Sequence, residues 1–274
     1  MSEKSNNLIG VFDSGLGGLS VLKNFLTELP GYHYIYLGDT ARVPYGDKSP
    51  ETIYNYTIEA VDFLFKKGCR LIVIACNTAS SRALRRLQRE WLSVHYPNNR
   101  VLGVIKPLAE AAAYDKKNKR IGVIGTRATI SSGAYKREIT ELNPKLKIFE
   151  IATPLLVPLI EEGRIKNLET KLILKSYLAL LQNKKIDSLI LACTHYPYLE
   201  KEIKKIMGAH VSVPNTGRII ALSLKDYLNR HQELKIKKTK TTCDFYTTDN
   251  SKSFKEQAEK FLGKKIKPVS QIKL

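Results

Sequence analysis

The sequence predicts an α/β protein with two similar doubly wound parallel-sheet domains and an active site between them. Three observations support this fold class. Short apolar runs alternate with amphipathic stretches along the chain, as in parallel strands joined by crossover helices. Two runs, "LIVIA" (71–75) and "LILA" (189–192), are continuously apolar, which is typical of strands buried on both faces. Two pairs of segments also resemble each other, which indicates two similar units.

In chain order, the apolar runs predict strands and the amphipathic stretches predict helices. The predicted strands cover residues 8–12, 34–37, 71–75, 120–124, 147–151, 188–192, 210–213 and 244–246. The predicted helices cover residues 19–29, 50–67, 78–91, 133–142, 168–182, 198–207, 216–229 and 251–262.

The similar segments define the predicted domains. The stretch "IGVFDSGLGGLSVLK" (9–23) resembles "IGVIGTRATISSGAYK" (121–136), and "LIVIACNTAS" (71–80) resembles "LILACTHYPY" (189–198). The turn-rich stretch "HYPNNRVLG" (95–103) separates the two units, and the chain is expected to return to the first unit near "VPNTG" (213–217). We therefore predict one domain from residues 1–100 plus 214–274 and a second from residues 101–213.

Composition bounds the class of protein. The chain has 274 residues, of which 43% are hydrophobic, so it can bury a sizeable core. No apolar run approaches the roughly 20 residues of a membrane helix, and residues 1–10 lack the features of a signal peptide. We therefore expect a cytoplasmic protein with no membrane partner. Four cysteines without a C-x-x-C pair predict neither a disulfide framework nor a zinc site.

A formal charge of +19 is the strongest compositional signal, and it favours anionic partners. Arg82, Arg85, Arg86 and Arg89 form one helical stripe, and lysines cluster at 116–120 and 235–240. No zinc-finger spacing, aromatic RNA-binding pattern or G-x-x-G clamp accompanies these residues. We therefore expect a solvated basic surface and no specific nucleic-acid partner.

The residues with the most distinctive chemistry follow the predicted strands. They are Asp13-Ser14, Gly38-Asp39, Cys76-Asn77-Thr78 and Cys193-Thr194-His195. Ligands of open parallel sheets bind beyond the carboxyl ends of the strands, so Cys76 and Cys193 are expected to approach one site from opposite sides. Hydroxyl and amide side chains beside helix N-termini suit carboxylates, which predicts a small anion with more than one carboxylate.

Two kinds of thiol chemistry are compatible with these residues. A cysteine directly before a helix experiences the helix dipole, which lowers the pKa of the thiol and favours thiolate. Nucleophilic catalysis needs one cysteine and one base, so Cys193 with His195 would suffice and Cys76 would be unused. Removing a proton from one face of a stereocentre and returning it to the other face needs two bases, and this reaction uses both thiols.

Other features have simpler interpretations. The turn "GLGG" (15–18) permits a dinucleotide-binding interpretation with Asp39 as a ribose ligand. The third glycine of that motif is missing and Asp13 would repel a pyrophosphate, so we interpret the stretch as a turn with close backbone approach. Cys69 and Cys243 have no polar motif beside them and are assigned to packing.

Six ordered blocks carry a family resemblance. They are "GVFDSGLGGLSV" (10–21), "YLGDTARVPYGDKS" (36–49), "IVIACNTAS" (72–80), "IGVIGTRATISSGAY" (121–135), "PLLVPLIEEG" (154–163) and "LACTHYP" (191–197). On these residues the chain resembles the cofactor-independent glutamate racemases of the aspartate/glutamate racemase superfamily, over nearly its whole length.

This resemblance implies a set of site residues and partners. Cys76 and Cys193 would be the two catalytic acid/bases, with Asp13 and His195 assisting them and Glu161 contributing further, although its neighbour Glu162 is an alternative for that role. Substrate contacts would come from Asp13, Ser14, Pro44, Tyr45, Gly46, Asn77, Thr78, Thr194 and His195. The resemblance further implies glutamate as substrate, no pyridoxal cofactor, no metal, a homodimer, and a role in supplying D-glutamate for peptidoglycan.

The sequence departs from the family pattern in three respects. Thr153 stands where many members have cysteine, Asn215 stands where aspartate is common, and the charge is unusually positive. Two alternatives stay open, namely an aspartate-type racemase, against which "VPYG" and "CNTAS" argue, and an inactive protein of this fold that binds an amino acid or nucleic acid.

Overall fold

Two parallel sheets organise the chain in the computed structural model, which describes residues 8–234, 236 and 238–274. The strands are β1 (Leu8–Asp13), β2 (His33–Gly38), β3 (Cys69–Ile74), β4 (Arg100–Gly103), β5 (Arg120–Gly125), β6 (Lys147–Ala152), β7 (Ser188–Ala192), β8 (Thr242–Thr247) and β9 (Val269–Gln271). The larger sheet has the order β4-β3-β1-β2-β8-β9, and the smaller has the order β6-β5-β7. The strand pairs in both sheets are parallel, as predicted.

Helices cover the faces of both sheets. They are α1 (Leu19–Glu28), α2 (Pro50–Lys66), α3 (Asn77–Arg82), α4 (Leu84–Arg86), α5 (Ser93–His95), α6 (Ile105–Tyr114), α7 (Arg127–Ser131), α8 (Ala134–Leu142), α9 (Leu156–Glu161), α10 (Leu168–Gln182), α11 (Glu200–Met207), α12 (Thr216–Arg230) and α13 (Ser251–Leu262). Local chemistry sets several starts. For example, Ser49 accepts a hydrogen bond from the Thr52 amide, and Pro50 occupies the first turn of α2.

One hydrophobic cluster joins the two sheets. It contains Ile9 and Val73 from the larger sheet and Ile121 and Val123 from the smaller one, with α1, α6, α8 and α12 between them. Two further clusters fill the outer faces, one beneath α2 and one beneath α10 and α11. The carboxyl ends of β1 and β3 are thereby brought close to the carboxyl end of β7, which is where the distinctive residues lie.

The structure corrects some predicted elements. Residues 210–213 form no strand, because only Ser212 pairs with Ser188 and Pro214 has no N–H to continue a ladder. The burial of Val211 and Val213 explains the apolar signal there. The sequence patterns gave no prediction for β4, β9, α5, α6, α7 and α9. The boundary predicted after residue 100 falls within β4, so residues 101–103 belong with the larger sheet, and the division into two domains otherwise stays a prediction.

The helix predicted over residues 78–91 is interrupted. It consists of α3, α4 and a wider π-helical stretch over Leu87–Leu92. The predicted solvated basic stripe is correct only in part. Arg85, Arg86 and Arg89 are exposed, as predicted, but Arg82, Arg85 and Arg86 make side-chain contacts. Arg82 Nε donates to the Ala128 carbonyl at 2.9 Å, and Arg85 forms an ion pair with Glu138, both on helices beside the smaller sheet. Two arginines of the stripe therefore connect the two halves of the molecule.

The lysine cluster predicted at 235–240 includes Lys235 and Lys237, which lie outside the described residues. In the part of the chain that the structure describes, no helix is long and apolar enough to cross a membrane.

Candidate active site

A cavity of about 40 Å³ lies between the carboxyl ends of the two sheets. Its lining comprises Ser14, Val43, Pro44, Tyr45, Gly46, Asp47, Cys76, Asn77, Thr78, Thr126, Arg127, Pro154, Val157, Pro158, Glu161, Cys193, Thr194 and His195. All the site residues predicted from the sequence are in this set except Asp13, which is fully buried next to it. Each sheet contributes one thiol to the same cavity, Cys76 following β3 and Cys193 following β7.

Seven lining residues were not predicted. Thr126 and Arg127 follow β5, and they could have been found by applying the strand-end rule to the second copy of the 9–23 segment. Pro154, Val157 and Pro158 lie inside the quoted block 154–163, and Val43 and Asp47 flank "PYG". Apart from Thr126, Arg127 and Asp47, these residues have no polar functional group, so side-chain chemistry gave no signal for them.

Cys76 is a protonated thiol in this environment. Its Sγ donates to Ser14 Oγ at 3.4 Å, and the side chain is buried. Burial, and to a lesser extent the nearby Asp13 carboxylate, raises the pKa of Cys76 to about 12, against smaller opposing effects of Ser14 and the Ala79 amide. The prediction that a helix N-terminus would favour thiolate is therefore wrong for Cys76, because desolvation outweighs the dipole.

Cys193 has a different neighbourhood. Its Sγ is 3.7 Å from His195 Nδ1, and His195 Nε2 is 3.0 Å from Glu161 Oε1. Burial lowers the pKa of His195, but hydrogen bonds and charge interactions with Cys193 and Glu161 outweigh burial and raise it to about 10. At neutral pH the ring is therefore an imidazolium that donates to both neighbours. Glu161, and not the exposed Glu162, is the acidic residue that contacts His195.

Asp13 connects the two halves of the site. Its carboxylate accepts hydrogen bonds from the Gly15 amide at 3.0 Å and from Thr194 Oγ1 at 3.1 Å. Burial raises the pKa of Asp13, while the His195 charge and these hydrogen bonds lower it in part. The described hydrogen bonds of Asp13 do not include the Cys76 sulfur, so the expected assistance to Cys76 would act through charge.

The turn "GLGG" meets residues from the opposite sheet. Gly17 lies against Thr194 and His195, and a Cβ atom at Gly17 would be 2.6 Å from His195 Nδ1. Ser20 Oγ, one turn later, donates to the Thr194 carbonyl at 2.8 Å. The interpretation of this stretch as a turn with close backbone approach is confirmed, and the approach is to a histidine rather than to a phosphate.

Residues 43–47, which we call the covering segment, line the cavity. The buried carboxylate of Asp39 holds this segment in place. Tyr45 OH donates to Asp39 at 2.5 Å, and Asp39 also accepts from Arg42 at 2.6 Å and from Thr248 at 2.8 Å. Asp39 is fully buried, so these three donors compensate its desolvation. Asp39 therefore holds the covering segment in place, in contrast to the ribose-binding role considered from the sequence.

Polar contacts connect both the covering segment and α3 to the start of α7. Thr78 Oγ1 is 2.9 Å from Thr126 Oγ1, and Arg127 Nη1 donates to Asp47 Oδ1 at 3.2 Å at the edge of the cavity. Among the described residues, no cluster of three or more His, Cys, Asp or Glu side chains is arranged to hold a metal ion. The site therefore combines two thiols with hydroxyl, amide and imidazolium donors, which suits a carboxylate ligand.

Comparison with known proteins assigns this arrangement to a family. The protein-family model Asp/Glu/Hydantoin racemase matches residues 9–220. The chain belongs to the Asp/Glu/hydantoin racemase family. A glutamate racemase of Geobacter metallireducens is 41% identical to this racemase-family chain over 266 residues, which covers 97% of the chain and 96% of the relative.

Solved racemase structures confirm the predicted fold class of two parallel-sheet α/β domains. A glutamate racemase isoform of Bacillus anthracis has a TM-score of 0.91 at 36% identity, with 98% of both chains covered. The glutamate racemase of Francisella tularensis, solved in complex with D-glutamate, has a TM-score of 0.87 at 34% identity, also with 98% of both chains covered.

Two departures of this racemase-family chain from the predicted pattern have local explanations. Thr153 is fully buried, and its hydroxyl is 2.6 Å from Tyr196 OH, so a polar side chain is satisfied where the resemblance led us to expect cysteine. Asn215 caps α12 by accepting a hydrogen bond from the Arg218 amide at 2.9 Å. An aspartate could accept the same bond, so the asparagine preserves this cap.

Proposed function

We propose that this racemase-family protein interconverts L- and D-glutamate by proton transfer between Cys76 and Cys193. The observation that carries the proposal is one cavity with a thiol contributed by each sheet, Cys76 beside Ser14 and Cys193 beside an imidazolium. Full-length relatives named glutamate racemases at about 40% identity support glutamate as the substrate.

The two sulfurs have different neighbours, a hydroxyl at Cys76 and an imidazolium at Cys193, and these neighbours define one half-reaction. Cys193, as thiolate beside protonated His195, would take the α-proton from one face of glutamate and become a thiol. Cys76, as thiol, would return its own proton to the opposite face of the α-carbon and become a thiolate. One C–H bond breaks and another forms, and the next turnover in the opposite direction restores both sulfurs.

The surrounding groups would stabilise the carboxylates and the charges. Ser14, Asn77, Thr78 and Thr194 offer hydroxyl or amide donors at the cavity, and Pro44, Tyr45 and Gly46 cover it. The imidazolium of His195 would stabilise a thiolate on Cys193. Glu161 would act as a positioning residue, because it contacts the other ring nitrogen of His195, Nε2. Asp13 would position Thr194 and supply negative charge on the Cys76 side.

An assay with L-glutamate in D2O and no added cofactor tests this function. We expect optical rotation to decay to zero and the α-proton NMR signal to disappear at a comparable rate, because each inversion introduces solvent deuterium. A sample with L-aspartate distinguishes the aspartate-type alternative, which predicts faster exchange of aspartate. Constant rotation with both amino acids would refute racemase activity, and salt-dependent DNA binding in such a protein would favour the inactive alternative.

Further features stay predictions from the resemblance. They are catalysis without pyridoxal cofactor or metal, a homodimer, a cytoplasmic location and the supply of D-glutamate for peptidoglycan. Analytical ultracentrifugation of the purified chain would test the dimer directly.

Changing Glu161 to glutamine should shift the alkaline side of the pH–rate profile. The hydrogen bond and charge interaction with Glu161 help to raise the pKa of His195 to about 10, so replacing this carboxylate with a neutral amide lowers that pKa. A charged hydrogen bond contributes roughly 1.5–3 kcal/mol, so we expect a downward shift of about one to two pH units. The measurement is kcat from pH 6 to 11.

Glu162→Gln is the matched control for this variant. Glu162 is the adjacent acidic residue and is exposed, so its replacement should leave the profile unchanged. If Glu161→Gln has the alkaline limb of the unmodified protein, Glu161 does not determine the protonation of His195.

A further inference from the structure

A buried tyrosine from the smaller-sheet half contacts the cavity residue Asn77. Tyr135 lies on α8 and has no exposed surface. Its hydroxyl donates to Asn77 Oδ1 at 2.5 Å. Asn77 is the first residue of α3, directly after Cys76, so this hydrogen bond crosses between the two halves of the molecule.

The direction of this hydrogen bond follows from the surroundings of the phenol. Among the described residues, Asn77 is the sole hydrogen-bond partner of Tyr135 OH. Leaving a buried O–H group without an acceptor costs roughly 1–3 kcal/mol of stability, so the proton of the phenol must point to Asn77. Burial, with smaller contributions from Cys193 and Glu150, raises the pKa of Tyr135, so the phenol keeps this proton over the working pH range.

This bond also fixes the orientation of the Asn77 amide. Because the Tyr135 hydroxyl donates, the amide oxygen Oδ1 of Asn77 must face it, and the amide nitrogen Nδ2 therefore points away from Tyr135. Nδ2 makes no hydrogen bond to the described protein atoms, and Asn77 lines the cavity. The amide therefore presents N–H donors to a ligand and withholds its acceptor oxygen. This polarity suits a carboxylate and disfavours an ammonium group.

We propose that Tyr135 is a positioning residue that orients the Asn77 amide to bind the substrate carboxylate. The proposal rests on the proposed function for the identity of the substrate. It assigns specificity to a residue outside the cavity lining. Because Tyr135 and Asn77 belong to different halves of the molecule, Asn77 acquires this orientation only when the halves are in contact.

Tyr135→Phe tests the proposal, since it removes the hydroxyl and keeps the ring in the core. We expect KM for glutamate to rise about tenfold, because the amide can then turn its oxygen to the carboxylate, and kcat to change by less than about threefold. Tyr34→Phe is the matched control. Tyr34 is equally buried, its hydroxyl donates to the Leu29 carbonyl at 2.8 Å, and neither residue lines the cavity.

A double-mutant cycle separates orientation from general packing. The dissociation constant of D-glutamate, measured by calorimetry, needs no turnover. We expect Tyr135→Phe to weaken binding about tenfold when Asn77 is present and less than about twofold in an Asn77→Ala protein, since the hydroxyl then has nothing to orient.

The outcomes are distinguishable. Equal weakening in both backgrounds, or an unchanged KM in Tyr135→Phe, would overturn the positioning role. If the unmodified protein binds D-glutamate with this coupling but does not racemise it, the proposed activity fails while the role of Tyr135 in carboxylate binding holds.

Discussion

Replacing either cavity cysteine with serine is expected to lower the rate of glutamate racemisation by about 10³-fold or more. A serine hydroxyl is a far weaker acid than a thiol, so it can neither supply a thiolate equivalent nor return a proton readily, and general acid–base groups contribute roughly 10²–10⁴-fold. Because the two-base pathway uses both sulfurs in each turnover, Cys76→Ser and Cys193→Ser should be similarly impaired. The measurement is optical rotation with L-glutamate and, separately, with D-glutamate.

Cys243→Ser provides the control for both variants. Cys243 is also buried, but it lies on β8, and its sulfur is absent from the cavity lining. We expect this variant to keep activity within a few fold, and circular dichroism should show the same fold for all three variants. Full activity in either Cys76→Ser or Cys193→Ser would refute the two-base assignment and favour a single-cysteine mechanism.

Gly17→Ala is expected to lower activity by about 10²-fold, although Gly17 does not line the cavity. The added methyl group would stand 2.6 Å from His195 Nδ1, so the imidazole must move away from Cys193. A displacement of about 1 Å in a catalytic group is sufficient for a loss of this size. Gly17 has a negative φ, so the alanine strains the site rather than the backbone. The measurement is kcat together with the thermal unfolding midpoint.

Gly263→Ala separates the loss of catalysis from a loss of stability. Gly263 has a φ of 70°, and a Cβ there would have no neighbour within 4 Å. We expect it to destabilise the protein by about 1 kcal/mol through backbone strain and to leave kcat unchanged. Normal activity in Gly17→Ala would show that His195 tolerates displacement, contrary to the role proposed for it.

The sequence predicted much of the fold because strong local patterns coincide with its buried strands. The runs 71–75 and 189–192 are apolar throughout, since helices cover both faces of these strands. The short β4 and β9 have no such run, and they are strands only because β3 and β8 provide edges on which they pair. Residues 210–213 show the opposite case, an apolar run that is not a strand. Val211 and Val213 are buried in a hydrophobic cluster with helices but do not pair in a sheet.

The candidate site was predictable where the chemistry is carried by the side chain itself. Thiols, an imidazole and a carboxylate at strand ends indicate Cys76, Cys193, His195 and Asp13 from the amino-acid sequence alone. The balance of energies at each group was not predictable, because it depends on burial. Cys76 illustrates this, since the helix that should favour its thiolate is outweighed by desolvation. The contact of Tyr135 with Asn77 could not be predicted from the sequence either, because only the packing of α8 brings the two side chains together.

The strand order of the larger sheet has a consequence for biosynthesis. One edge of β2 pairs with β1, but the other edge pairs with β8, which begins at Thr242, about 200 positions later in the chain. The smaller sheet takes all its strands from residues 120–192, so the ribosome delivers it complete while β2 still has unpaired backbone groups along an apolar strand. Such an edge is a template for pairing with other chains. The interval in which the nascent protein is prone to aggregate therefore ends only when residues 242–247 have emerged.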